Sequence, residues 1–523
     1  IVVGDAGTGK TFSSQAIFEA FEKSDYSNHI VAPTWKAAQG VGRELEITQA
    51  AAIAGFLNKV NRGQIELNNK SAVMIDEAGM IGTRTMHKLL KLSEQTGCKL
   101  ILMGDPKQLN AIEAGPSMAI LMKHAPNSRI AKIRRQDEEW ARVMVTNLAN
   151  GETSAGLKAL DEKGGIKIAK NRDDVLKMAV DDWKASTNEL KWTPKNAEDK
   201  DKSLIMIAVK NQDVFRLNNA AREYLKAAGL ISKVDITVRC QAIEHQGDGV
   251  NMNFSVGDRI VLRKNELKDG IINREEALLT KIDPMEDGSY NFHMIKSNGD
   301  KEILNTKKYV DDKGDFAATN GYAVSMYSSQ GMTVRRSFVV ADGMGQRYSY
   351  VGLSRHKEQT TLYANKQSLK ETFARNENIK PNKVTNENIK TQLFKTLSRK
   401  TDKKSTLDFK VDTAFEKFMN KIMKESDKQA IQNLSKNDDT FSKSLNLIAV
   451  KFKRILDLKK SKAGDSKAEK LVVKIDKPVA PVAQKVEIKD ESKIDYDKVF
   501  AQLERPRLNK QVSQSHPKLT PTK

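Results

Sequence analysis

The chain has 523 residues, enough for roughly three or four domains at about 100–200 residues each. Lys and Arg number 88 against 67 Asp and Glu, and the net charge of +21 favours a polyanionic partner, nucleic acid before an anionic membrane surface. No apolar run approaches the ~20 residues of a bilayer span, while two cysteines (Cys98 and Cys240) and seven scattered histidines exclude a disulfide framework and a metal cage and suit a reducing cytosol.

The chain opens Ile1-Val2-Val3-Gly4, without Met and without a charged segment ahead of the apolar residues, and three apolar residues are too few for a signal peptide. They read as the end of a buried strand entering a glycine-rich turn, so the expectation is a chain cut at a strand. From residue 1 to about 135, candidate strands at Ile1–Val3, His29–Ala32, Ala72–Ile75 and Leu100–Met103 alternate with helical patterns such as Thr11–Lys23 and Thr83–Glu94. That alternation predicts βαβ units and a parallel sheet covered on both faces. A second such region, 136–249 plus 313–370, carries candidate strands at Ile166–Ile168, Leu204–Ala208, Tyr322–Ser325, Ser337–Val340 and Thr361–Tyr363. Between 250 and 312, turn-rich stretches separate short alternating runs, which predicts a small β-barrel inserted into the second sheet domain. From 371 onward the pattern dissolves into Lys, Asn, Ser and Asp. Residues 371–523 hold 35 basic and 21 acidic residues, so +14 of the +21 lies there. Residues 371–460 read as a basic helical region, with Thr413–Ser435 and Asp439–Leu458 as amphipathic helices, and 461–523 as a disordered tail.

The chemistry begins at once. Gly4-Asp5-Ala6-Gly7-Thr8-Gly9-Lys10-Thr11 fits G-x-x-x-x-G-K-[ST] between a strand and a helix. The glycines let the backbone curl so that its N–H groups face phosphates, and the helix N-terminus adds positive dipole. Lys10 is placed to reach the β- and γ-phosphates and Thr11 to offer its hydroxyl to Mg²⁺. Val73-Met74-Ile75-Asp76-Glu77 is an apolar strand ending in two acids, 66 residues after Lys10. There Asp76 suits the Mg²⁺ shell, and Glu77 suits activation of a water for attack on the γ-phosphate. The pair predicts a nucleoside triphosphatase. A guanine-reading Asn-Lys-x-Asp motif is not found in a suitable place.

Further motifs narrow the class. Leu102-Met103-Gly104-Asp105-Pro106-Lys107-Gln108-Leu109 is a strand entering a turn with an acid and an amide, and Ile133-Arg134-Arg135-Gln136 follows. Later come the run from Gly321-Tyr322-Ala323 to Ser329-Gln330-Gly331-Met332-Thr333 and Tyr350-Val351-Gly352-Leu353-Ser354-Arg355-His356-Lys357. Together with Pro33-Thr34-Trp35-Lys36-Ala37-Ala38, this order resembles superfamily 1 DNA helicases of the RecD-like branch over about residues 1–365. It is similar in particular to the helicase portion of TraA-type conjugative relaxases. The resemblance implies ATP and Mg²⁺ as cofactors and two RecA-like domains with parallel sheets flanking a cleft. It also implies an SH3-like barrel opened by Phe254-Ser255-Val256-Gly257-Asp258-Arg259-Ile260-Val261, with no catalytic part. Gln108 is then the γ-phosphate sensor, and Arg135 and Arg355 are two cationic clamps on the transferring phosphoryl group. Thr34, Lys36, Ser325, Gln330 and Thr333 match family residues that hold the phosphates of single-stranded DNA or join the two sites.

The pattern departs from the family at Ser328, where a Lys is usual, at Trp35, where a Gly is frequent, and in the eroded hairpin Gly270–Glu276. The family's upstream relaxase and adenine-reading segment are not in this sequence, so nicking is not carried over. The function expected is an ATP-dependent, 5′-to-3′ single-stranded DNA translocase of a bacterial conjugative transfer system, acting in the cytoplasm, with transfer proteins as further partners. A RecD-like DNA repair helicase and a non-catalytic DNA-binding remnant stay open as alternatives.

Overall fold

Every apolar run read from the first 135 residues becomes a strand of one parallel sheet. In the computed structural model, which describes residues 1–400 apart from 46–49, 110, 112, 114, 243–246 and 268–269, these strands are β1 (Val2–Gly4), β2 (Ser27–Ala32), β4 (Ser71–Ile75) and β5 (Lys99–Gly104). Two short strands, β3 (Ala51–Ala52) and β6 (Ser128–Ile130), complete the order β3-β2-β4-β5-β1-β6. All neighbours are parallel, and β4 is buried from end to end, as a sheet covered on both faces requires. Val73 and Ile75 are wholly buried, each worth about 1.5–3 kcal/mol of apolar transfer. Because Val3 pairs with Gly104 and Ile75 with Leu102, the carboxyl ends of β1, β4 and β5 finish together at one edge. Ligands of open parallel sheets bind at that edge.

The second sheet starts with β7 (Ile166–Ala169) and β8 (Leu204–Ala208), and the chain then leaves it for an antiparallel insertion. The insertion comprises β9 (Ile236–Cys240), β10 (Val250–Phe254), β11 (Arg259–Leu262), β12 (Glu276–Pro284), β13 (Tyr290–Lys296), β14 (Lys301–Asn305) and β15 (Ala318–Asn320). β9 and β10 form a hairpin, and the others form a sheet in the order β14-β13-β12-β11-β15. Phe254, Phe292 and Phe316 meet edge to face at 5.2–6.0 Å in its core. The chain returns through β16 (Ala323–Ser325), β17 (Val334–Val340) and β18 (His356–Asn365), closing a parallel sheet ordered β16-β8-β17-β18-β7. The fold is α/β with two parallel sheets.

Two expected boundaries are corrected. The insertion spans Ile236–Asn320 rather than 250–312, because Cys240 pairs with Val250 and bridges Phe316. That pairing is long-range, and the turn-rich texture of the middle concealed it. Helices also occupy the start of the region expected to be basic and helical from 371. Helices Lys366–Asn376 and Asn386–Leu397 set Leu369, Ile389, Leu393 and Leu397 into the core shared with the second sheet. Their four-residue apolar spacing was hidden among Lys and Asn. The expected tail helices and the stretch 461–523 lie outside the described residues. No helix among the described residues is long and apolar enough to cross a membrane.

One apolar cluster bridges the two sheets. It joins Ala6, Leu109 and Ile133 of the first to Met144, Leu148, Val339 and Leu353 around the second. The edge carrying β1, β4 and β5 therefore faces helix Gln346–Leu353.

Candidate active site

The loop between β1 and helix Lys10–Glu22 turns on Gly7 (φ +80°) and Gly9 (φ +79°), left-handed conformations that side chains resist. At Gly7 space is also short, since a Cβ there would lie 2.5 Å from Cβ of Arg135. The Lys10 ammonium donates to the carbonyls of Gly4 (2.9 Å) and Asp5 (3.3 Å), and the Thr8 hydroxyl donates to the Asp5 carbonyl. The buried Asp5 carboxylate receives Lys107 at 3.1 Å and Arg129 at 2.8 Å, which pins one flank of the loop. Thr11 stands in the first turn of the helix.

At the tip of β4, burial first and the charge of Glu77 second push the Asp76 carboxyl up to about 7, while Lys10 pulls the other way. Glu77 has φ +49°, an uncommon conformation for a residue with a side chain, and its carboxylate receives the Gln330 amide at 3.4 Å. Two adjacent carboxylates so short of positive charge suit a divalent cation, which would restore the ionised form of Asp76. Among the described residues no group of three or more His, Cys, Asp or Glu gathers to hold a metal ion. The expected ligands Thr11 and Asp76 come from the first turn of helix Lys10–Glu22 and from the tip of β4.

Gln108, after β5, is buried and turns its amide nitrogen onto Asp105 Oδ2 at 3.1 Å. Arg135 and Arg355 are the unusual pair. Arg135 donates to the Ser354 carbonyl at 2.9 Å, and Arg355 to the Val351 carbonyl and the Ser354 hydroxyl, both at 2.8 Å. Neither forms an ion pair among the described residues. Burial, reinforced by the charge of Arg355, lowers Arg135 to about 9, and burial lowers Arg355 as well. Two guanidinium groups set down together, with Glu77 acting on both only from beyond ion-pair contact, form a site short of negative charge.

The expected strand-contacting residues do not converge on one place. The Thr34 hydroxyl caps helix Trp35–Glu44 by accepting the Ala37 N–H. Lys36 is ion-paired at 3.0 Å with Glu276 at the start of β12, which Arg259 also holds at 2.6 Å. Although burial pushes the Glu276 carboxyl up, Lys36 and Arg259 bring it down to about 2. Lys36 and Thr333 line one cleft of about 290 Å³, with Arg43 and Trp192. Ser325, bonded to Ser328, lines a different cleft of about 440 Å³ with Arg263, Arg274, Tyr327 and Tyr348, and among the described residues no carboxylate lines it.

Several site residues carried no role in the sequence reading. Gln136, fully buried, donates to the carbonyls of Ser354 and His356. Tyr350 donates its hydroxyl proton to Asp105 and accepts the Ala6 N–H. Arg347 donates to the carbonyls of Pro106 and Gln108. Gln136, Tyr350 and Asp105 all sit inside quoted motifs, so position within a motif was the available signal.

Residues 1–171 match a family of AAA domains. Over 376 residues the chain is 28% identical to the conjugal transfer protein TraA of Rhizobium radiobacter, covering 70% of this chain and 31% of that protein. Over 178 residues it is 28% identical to the ATP-dependent RecD2 DNA helicase of Deinococcus radiodurans, covering 32% of this chain and 25% of that one. The chain thus spans about a third or less of the curated relatives it matches. Among solved structures, the Pif1 helicase from Bacteroides in complex with ADP-AlF3 and ssDNA is 18% identical, with a TM-score of 0.45 over 69% of this chain and 87% of that one. By its sequence relationships the chain is a relative of the TraA conjugal transfer proteins and of the RecD-like superfamily 1 helicases.

Proposed function

We propose that the chain hydrolyses ATP and uses the cycle to move along single-stranded DNA, in the setting of conjugative transfer. The observation that carries this reading is the pair Arg135, half-buried against Gly7 of the phosphate-binding loop, and Arg355, fully buried on the opposite domain, neither of them ion-paired among the described residues. A triphosphate supplies the missing negative charge.

In this reading the loop from Gly4 to Thr11 cradles the phosphates, and Lys10 exchanges its carbonyl partners for the β- and γ-phosphate oxygens. Thr11 and Asp76 would hold a Mg²⁺ ion, which would supply charge neutralisation at the phosphates. Glu77 orients a water and takes its proton, while Arg135 and Arg355 stabilise charge developing on the transferred group. Gln108, on Asp105, senses the terminal phosphate. Gln330 touches Glu77 and belongs to the segment that continues to Ser325 and Thr333, so hydrolysis is relayed to the strand-contacting residues. Lys36, Thr333 and Ser325 then hold backbone phosphates from two clefts, and Thr34 supports Lys36 by capping its helix. The two parallel-sheet regions are RecA-like domains and the insertion an SH3-like barrel in this view. Arg263 and Arg274 of the insertion line the cleft that holds Ser325. Polarity is 5′ to 3′, the compartment is the bacterial cytoplasm, and other transfer proteins are partners.

The test is ATP hydrolysis by the full chain with and without single-stranded DNA, with Lys10→Ala as the blank. Stimulation by DNA that vanishes in Lys10→Ala supports the motor. DNA binding with turnover no higher than the blank leaves a non-catalytic DNA-binding remnant and ends the translocase reading.

A further inference from the structure

Helix Gln346–Leu353 belongs to the second sheet, yet one of its faces is spent on the first. Arg347, Tyr350 and, just past its end, Ser354 are spaced three and four residues apart and so lie on one side. Arg347 reaches the carbonyls of Pro106 and Gln108, and Ser354 offers its carbonyl to Arg135 and Gln136. Tyr350 stands between them, about 1% exposed. Its hydroxyl uses both of its bonding capacities across the cleft. It donates to Asp105 Oδ2 at 2.6 Å and accepts the Ala6 N–H at 2.5 Å.

The second contact bears on chemistry. Ala6 lies inside the phosphate-binding loop, between Gly4 and Gly7. The Asp5–Ala6 peptide directs its carbonyl to Lys10 and Thr8 and its N–H to Tyr350. Asp5, one residue earlier, is held by Lys107 and Arg129 from the first sheet's own side. The first turn of the loop is therefore held on one flank by its own domain and on the other by a phenol from the opposite one. The partner at Asp105 is the same carboxylate that orients the Gln108 amide. Burial pushes the Asp105 carboxyl up, while the charge of Lys10 and then the phenol proton stabilise its ionised form.

We propose that Tyr350 is a positioning residue for nucleotide binding: its hydroxyl sets the shape of the phosphate-binding loop from the opposite domain, so that ATP affinity depends on how helix Gln346–Leu353 is docked. The inference rests on the nucleotide reading of the site given above. It makes the loop a sensor of domain position as well as a cradle. Movement of the second sheet by bound DNA alters the Ala6 peptide, and with it the affinity for ATP, before any residue of the second domain touches a phosphate.

The experiment compares Tyr350→Phe with wild type in the full chain, reading the Kd for a fluorescent ATP analogue and the KM and kcat for ATP with single-stranded DNA. Phenylalanine keeps the ring in its core and removes only the hydroxyl, leaving the Ala6 N–H buried without its acceptor. The expected result is a Kd and KM raised roughly tenfold, the cost of one unsatisfied buried donor, with kcat changed less than KM. Tyr363→Phe is the structural control, since the Tyr363 hydroxyl also bonds a carboxylate, Asp182 at 2.6 Å, but within the second domain. It should lower the melting temperature while leaving Kd and KM at wild-type values. A Tyr350→Phe protein with wild-type Kd and KM overturns the inference, as does a matching rise in KM for Tyr363→Phe, which would mark both as effects of stability. A wild-type chain that binds no ATP overturns this inference together with the nucleotide reading on which it rests.

Discussion

Asp258 offers the sharpest test of how the insertion is held. It belongs to the Val256-Gly257-Asp258-Arg259 run that opens the expected barrel, and it is completely buried. Its carboxylate accepts Arg222 Nε at 2.9 and 3.1 Å, the Tyr322 hydroxyl at 2.8 Å and the Ser255 N–H at 2.7 Å. Arg222 projects from helix Asn211–Ala227, so the ion pair ties the insertion to the second sheet domain. Burial pushes the Asp258 carboxyl up even with Arg222 against it, which marks a pair whose desolvation cost rivals its attraction. Such pairs add little net stability, but removing one partner costs about 3–5 kcal/mol because a buried charge is left uncompensated. Asp258→Ala should lose about 3 kcal/mol in urea unfolding, the low end of that range, because Arg222 keeps Asp235 at 2.7 Å while the Tyr322 hydroxyl and the Ser255 N–H lose their acceptor. Tryptophan fluorescence is a suitable probe, since Trp183 and Trp192 pack edge-on to Tyr322 at 6.1 and 6.3 Å. The double variant Arg222→Met with Asp258→Leu should recover most of the loss, because it removes both charges. A loss below about 1 kcal/mol for Asp258→Ala, or a double variant weaker than the single, would show that this ion pair does not tie the insertion to the second sheet domain.

Gly7→Ala should abolish ATP binding and displace Arg135, because φ +80° and a 2.5 Å approach to the Arg135 side chain both oppose a Cβ; retained binding of a fluorescent nucleotide would contradict this. Glu77→Gln should bind ATP normally while its turnover falls at least about a hundredfold, the usual share of a positioned base, measured in steady-state hydrolysis with DNA. Glu276 carries a pH signature. Its pKa is about 2 when folded against 4.5 unperturbed, so its ion pairs contribute stability above pH 4.5 that disappears as the pH falls toward 2. The contribution is on the order of 3 kcal/mol, and Glu276→Gln should flatten acid unfolding across that window. Lys36→Ala should bind single-stranded DNA with a salt slope shallower by about 0.7, one phosphate's worth; an unchanged slope in fluorescence anisotropy counts against Lys36 as a strand contact.

What the sequence determined by itself was whatever is encoded over short stretches. The phosphate loop is eight contiguous residues whose glycines must turn and whose Lys and Thr must follow, and its type is evident before any contact is known. The buried strands were equally plain, because β4 and β8 sit between covered faces and must be apolar throughout. Asp76 and Glu77 could be placed at a strand tip for the same local reason. The tertiary structure alone decided which distant groups meet. Tyr350 lies 344 residues from Ala6, Lys36 lies 240 from Glu276, and Arg135 lies 219 from Ser354. Each side chain there is chemically ordinary in its own segment, a phenol in an apolar helix or a lysine in a first turn. The meaning of each comes from a partner that no spacing rule relates to it. The start of the insertion and the docking of the helices up to Leu397 onto the second sheet were hidden for the same physical reason. Strand pairing and helix docking are settled by the free energy of burying surface against elements far along the chain, and composition within a window carries no record of that surface.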